Sequence, residues 1–171
     1  MIRLLMFGHD ATRSGAPKIF LCMYFMHYFE IQVVMLKKGN MKEMFSQYFD
    51  VIYLDDNSDK NKFELATELI KKYRPDLVFA NTIATYECAY AAKVNNIPVI
   101  MSVYELQDDF DYVFAGNVPK NINEVADYYV VNSELVRTYL LTKINCADKK
   151  IIYIPCFVSS SEIKMLAREK T

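Results

Sequence analysis

The chain has 171 residues, a formal charge of −1, 53% apolar residues and 14% aromatic ones. That length suits one domain, and so much apolar side chain builds a real core, which excludes a disordered chain. Acids and bases are interleaved with no basic stripe, so the balance speaks against a nucleic-acid binder and for an enzyme or binding domain.

Residues 2–7 form a strand-length apolar run that stops at Gly8-His9-Asp10, which is not the pattern of a signal peptide. A glycine-containing loop from Gly8 to Pro17 follows, and Pro17 suits the first turn of a helix over residues 16–29. The apolar stretch at 19–29 is too short to span a bilayer and is interrupted by His27, expected to be half-buried in that helix. This helix is apolar nearly all round; core packing is the default reading, and contact with a partner domain or membrane surface is the alternative.

Further short apolar runs at 31–36, 51–54, 77–80, 99–103, 128–131 and 151–154 lack strict alternation, as strands buried on both faces do. Helical patterns at 41–48, 62–73, 85–95 and 134–143 fill the gaps. In the segment 62–73, Phe63, Ala66, Ile70 and Tyr73 share a face, and Pro75 ends it. Strand and helix alternating in this way predict an α/β, Rossmann-like, doubly wound and mostly parallel sheet of about seven strands, with helices on both faces. The expected domain covers residues 1–157, and 158–171 reads as a linker or the start of a crossover to a second domain.

The four cysteines, Cys22, Cys88, Cys146 and Cys156, form no C-x-x-C pair and have no histidine at ligand spacing, so no metal site is expected. Cys22 and Cys88 read as small core residues of a reduced, cytoplasmic protein.

In a doubly wound sheet, ligands gather at the carboxyl ends of the strands. After the first strand stand His9 and then Ser14-Gly15-Ala16-Pro17, where a small residue at a helix start lets backbone N–H groups approach a phosphate. A plain turn opening a helix explains the same residues, and the segment is neither a Walker loop nor G-x-G-x-x-G. After the fourth strand, Asn81 and Thr82 either bond a ligand or cap the next helix. After the fifth come Tyr104 and Glu105, the latter a candidate general base or binder of sugar hydroxyls. Asp108, Asp109 and Asp111 read as a solvated acidic loop, although Asp109-Phe110-Asp111 matches a short metal-binding pattern of sugar transferases. Ser133 is placed to cap the helix after the sixth strand; no G-x-S-x-G elbow surrounds it, so it is not a hydrolase nucleophile.

Taken in order, these segments resemble the N-terminal domain of GT-B glycosyltransferases of the large family 4 group. The residues that carry the likeness are Ser14–Pro17, Lys38-Gly39-Asn40, the segment from Asp76 to Thr82, Ile97-Pro98-Val99-Ile100, Glu105, the segment from Ala126 to Ser133, and Lys149 to Pro155. The resemblance implies retaining transfer of a sugar from a nucleotide-sugar to a glycan or lipid-linked acceptor, with no required metal or other cofactor. It implies that backbone at Gly15 and Ala16 faces the donor diphosphate. It places Glu105 and Tyr104 at the reaction centre or acceptor pocket, and His9, Asn81, Thr82 and Ser133 along the cleft. Two departures stand out: Tyr104 where many members carry histidine, and Cys156-Phe157 in place of Asn-Gly. The donor-binding second domain, with its E-x7-E element, is not in this sequence, so the fragment alone is expected to be inactive. The expected location is cytoplasmic, with peripheral contact at the inner membrane face left open. The alternatives are one subunit of a split glycosyltransferase, or a non-catalytic α/β module that binds a nucleotide or a partner.

Overall fold

A computed structural model describes residues 1–11, 27–54 and 59–155. Its centre is a seven-stranded sheet: β1 (Ile2–Asp10), β2 (Phe29–Lys37), β3 (Val51–Tyr53), β4 (Leu77–Asn81), β5 (Val99–Val103), β6 (Tyr128–Val131) and β7 (Ile151–Tyr153). The order is β3-β2-β1-β4-β5-β6-β7, and every neighbouring pair is parallel. The helices are α1 (Lys42–Tyr48), α2 (Lys62–Tyr73), α3 (Tyr86–Val94), α4 (Gln107–Val113) and α5 (Glu134–Thr142), with short 3-10 turns at Ile83–Thr85 and Asp148–Lys150.

The sheet separates two apolar clusters by strand parity. Leu5, Phe7, Val34, Val78, Ala80, Met101, Val103 and Tyr129 face one side, where α2, α3, α4 and α5 contribute Ala66, Ile70, Ala89, Phe110, Val136 and Leu140. Leu4, Met6, Val33 and Met35 face the other side and pack on Phe45 of α1 and on Phe49. Helices therefore cover both faces, as the uniform apolar runs require. Each fully buried large side chain contributes about 1.5–3 kcal/mol of transfer free energy.

Local signals explain the helix ends. Asn61 and Glu64 form a reciprocal capping box on α2, with bonds of 2.9 and 3.2 Å. Arg74 closes α2 in the left-handed region at φ 46°, just before Pro75. At the amino edge of the sheet the same clasp occurs twice. The N–H of Asp76 donates to the Arg3 carbonyl at 2.9 Å while its carboxylate accepts the Arg3 N–H at 2.8 Å. Asp127 likewise donates to the Val99 carbonyl at 2.9 Å and accepts the Val99 N–H at 2.9 Å. Each aspartate precedes a strand and ties it in register to a neighbour.

Several expectations need correction. β1 runs to Asp10, so Gly8, His9 and Asp10 belong to the strand rather than to a loop; continued pairing with Met35 and Lys37 of β2 carries it on. Phe29 opens β2, and His27 is exposed in a turn, because the chain has already begun to descend into the sheet. The acidic segment is α4, not a loop: the Asp109 carboxylate accepts the Leu106 N–H at 3.2 Å and Phe110 anchors the helix in the core. Gly15, Ala16, the rest of the segment expected as a loop at Ser14–Pro17, most of the helix expected at 16–29, Cys22, Cys156 and residues 158–171 lie outside the described residues. Among the described residues, no helix is long and apolar enough to cross a membrane.

Candidate functional site

The strand order reverses between β1 and β4, so the crevice of this sheet lies at their carboxyl ends. The chain there behaves unlike the rest of the molecule. Thr82, the first residue after β4, has φ 76° and ψ 156°. This region is essentially reserved for glycine, and a β-branched residue held there stores about 1–3 kcal/mol. Its surroundings over-determine it. The Thr82 N–H donates to the Ser102 carbonyl at 2.9 Å, its hydroxyl accepts the Ala84 N–H at 3.2 Å, and its carbonyl accepts the Thr85 hydroxyl at 2.8 Å. Thr82 thus caps the turn at Ile83–Thr85, whereas Asn81 is the last residue of β4.

Asn81 and Ser102 are paired across β4 and β5, are each 2% exposed, and share the face opposite to the larger core cluster. Polar side chains so deeply buried must find partners. The Tyr104 hydroxyl supplies them: the Ser102 hydroxyl donates to it at 2.5 Å, and it donates to Asn81 Oδ1 at 3.2 Å. Ser102 escaped the sequence reading because it sits inside an apolar run. The available signal was that it is the one polar residue of a strand buried on both faces.

Glu105 turns its carboxylate back onto the backbone. Oε2 accepts the Tyr104 N–H at 2.8 Å, and the N–H groups of Glu105 itself and of Ile83 also favour the charged form. Burial opposes them and prevails, with a smaller push from Asp109, so the Glu105 pKa is raised above the ordinary carboxyl range. A carboxyl group tuned upward at a strand end has the property a general acid or base needs. The same contacts also fasten the end of β5 to the turn after β4.

The remaining candidates stand apart. His9 is exposed, with Nδ1 3.4 Å from Asp10 Oδ2, and follows Leu5 and Phe7 in parity, on the face opposite to Asn81 and Ser102. The Ser133 hydroxyl accepts the Val136 N–H at 3.2 Å and caps α5. Among the described residues, no group of three or more His, Cys, Asp or Glu side chains is arranged to hold a metal ion. Asp109 caps α4 and Asp111 accepts from Gln107 at 2.9 Å, which accounts for the D-x-D residues locally. Cys88 is fully buried, and burial pushes its thiol up to about 12, so it is inert packing.

No family model matches the sequence, and no curated protein matches it by sequence. Solved structures do match in shape. HepE of Anabaena, crystallised with UDP and glucose, superposes with a TM-score of 0.70 at 16% identity, covering 99% of this chain and 50% of its own. The UDP-GlcNAc 2-epimerase of Neisseria meningitidis, bound to UDP-GlcNAc, gives 0.65 at 17% identity, covering 99% and 49%. A glycosyltransferase of Rickettsia africae gives 0.66 at 19% identity, covering 99% and 49%. The chain spans about half the length of these proteins. At such identities the likeness concerns the fold: the chain has the all-parallel, Rossmann-like α/β architecture found in about half of each of these proteins.

Proposed function

We propose that this chain is the N-terminal, acceptor-side half of a retaining glycosyltransferase of the family 4 type. It moves a sugar from a nucleotide-sugar to a glycan or lipid-linked acceptor in the cytoplasm. One observation carries the reading: a half-buried carboxyl group with raised proton affinity, Glu105, stands beside the Asn81–Ser102–Tyr104 cluster at the carboxyl ends of β4 and β5, next to the switch point. Structural neighbours with this fold hold UDP or a UDP-sugar, which supports the substrate class. In this reading Glu105 receives the proton of an acceptor hydroxyl, Tyr104, Asn81 and Thr82 line the cleft, and His9 and Ser133 stand at its rim. The Gly15-Ala16 backbone faces the donor diphosphate. A second α/β half, following residues 158–171 or supplied by a separate chain, holds the nucleotide; without it this half does not turn over.

A second reading is an epimerase half, favoured by the 2-epimerases among the structural neighbours. Both are tested by incubating the protein that carries both halves with a panel of nucleotide-sugars, with and without a glycan acceptor. Sugar transfer that falls in the Glu105→Gln variant while folding is intact supports the transferase. Conversion of the donor sugar without an acceptor supports the epimerase. Unchanged turnover in Glu105→Gln removes Glu105 from the mechanism.

A further inference from the structure

Along β4 the backbone N–H groups alternate between the two neighbouring strands, as they do in any extended strand within a sheet. Those of Val78 and Thr82 donate to the carbonyls of Pro98, just before β5, and of Ser102 in β5, both at 2.9 Å. By that alternation the next N–H, on Ile83, would point away from β5, to the β1 side. It acts instead on the Glu105 carboxylate just beyond β5, together with the N–H groups of Tyr104 and of Glu105 itself. Two successive N–H groups can address the same side only if the residue whose Cα separates them leaves the extended region. That residue is Thr82, at φ 76°. Successive N–H groups turned to one side form a concavity suited to an anion. The bonds of Thr82 to Ala84, Ser102 and Thr85 hold it in that conformation.

We infer that Thr82 is a positioning residue for Glu105: its positive φ aims the Ile83 N–H at the Glu105 carboxylate and pins that carboxylate across the ends of β4 and β5. The inference deepens the sugar-transfer reading above, on which it rests for the role of Glu105 as a base. A base that takes the proton of an acceptor hydroxyl has to be ionised and held in place. Burial works against the ionised form, and so does Asp109 of α4, whose carboxylate is fixed by the Leu106 N–H at 3.2 Å. Asp109 is the charged group that acts on Glu105; the turn after β4 and the end of β5 oppose it with neutral backbone donors. Loss of the Ile83 donor therefore raises the proton affinity of Glu105 further. A Thr82 that served the turn alone would leave Glu105 untouched.

The test is titration of Glu105 by NMR in the protein carrying both halves, labelled with 13C at the glutamate carboxyls and assigned with Glu105→Gln. Ile83→Pro deletes the N–H. Proline suits the first position of a helical turn, and Thr82 already has the extended ψ, 156°, that a following proline demands. The Glu105 midpoint should rise by about one pH unit in Ile83→Pro, the scale of one hydrogen bond to a charged group. The acidic limb of the pH profile of turnover should move up with it. Ile83→Val keeps the N–H while trimming the same buried side chain, and Thr82→Gly keeps the positive φ accessible, so both should leave the midpoint in place. In the parent protein the Ile83 amide proton should shift with pH at the Glu105 midpoint, which tests the contact even if Ile83→Pro does not fold. An Ile83 amide that ignores the Glu105 titration overturns the inference. So does a midpoint that is unchanged in folded Ile83→Pro, or that moves equally in Ile83→Val. The titration needs no substrate, so its failure is distinct from that of the sugar-transfer reading, which fails on unchanged turnover in Glu105→Gln.

Discussion

The two edges of the sheet hold carboxylates in opposite ways. At the amino edge, Asp76 is exposed and accepts both the backbone and the guanidinium of Arg3, which hold its pKa down to about 2. Asp127 is pushed up by burial but pulled down further by Lys93 and the Val99 N–H, so its pKa is also lowered. At the carboxyl edge, Glu105 gains backbone partners but no cation is among the causes of its shift, and burial raises its pKa. The amino edge is thus built of relaxed, repeated clasps that set strand register. The carboxyl edge gathers a strained residue, the buried polar pair Asn81 and Ser102, and an acid whose pKa burial raises. Stability is spent at one edge and supplied at the other, the pattern expected where a ligand completes the site.

The largest expected effect concerns turnover. In the protein carrying both halves, Glu105→Gln should lower transfer by about 10²–10⁴-fold, the usual contribution of a general acid or base. An equal loss from Asp76→Asn in a folded protein would erase the distinction between the edges.

The strain at Thr82 predicts an unusual stability series. Thr82→Gly relieves about 1–3 kcal/mol of backbone strain, against about 0.5–1 kcal/mol for glycine's extra chain entropy and the loss of the turn-capping hydroxyl. It should be at least as stable as the parent in urea unfolding. Thr82→Ala keeps the positive φ and loses the bond to Ala84, so it should be less stable by about 0.5–1.5 kcal/mol. Thr82→Gly falling below Thr82→Ala would contradict the strained geometry.

The pH dependence separates the edges by sign. Glu105 binds its proton more tightly when folded, so its contribution to stability falls as pH rises from the ordinary carboxyl value through the raised folded value. Asp76 binds its proton less tightly when folded, so its contribution is present above the ordinary carboxyl value and is lost as pH falls toward about 2. Denaturation midpoints across pH should show Glu105→Gln removing the first slope and Asp76→Asn the second. Parallel changes in both variants would count against the opposed shifts. Smallest of all, Lys60→Ala at the exposed Lys60–Glu68 pair should leave the unfolding midpoint within error, as surface ion pairs generally do.

How far the sequence carried is itself a matter of local against non-local physics. α2 was legible to the residue because Phe63, Ala66, Ile70, Tyr73 and Pro75 lie within one helix and its exit. The parallel sheet was legible because its strands are uniformly apolar. α4 was not, since three aspartates masked the single anchor Phe110 that draws the segment into the core. Asn81, Thr82, Tyr104 and Glu105 could be named from their places at strand ends. What those residues do could not be read, because the Tyr104–Asn81 bond that joins them spans 23 residues. Thr82's positive φ likewise has no signature in a threonine.

The most direct test of the central claim is amide chemical-shift mapping of the protein carrying both halves on addition of UDP-glucose. The account predicts that perturbations gather at the carboxyl ends of β1, β4 and β5, around Gly8, Asn81, Thr82, Tyr104 and Glu105. The opposite edge carries a small cavity of about 100 Å³ lined by Arg3, Glu30, Gln32 and Tyr73. Perturbations gathering there, or none at the carboxyl ends at saturating ligand, would contradict the account.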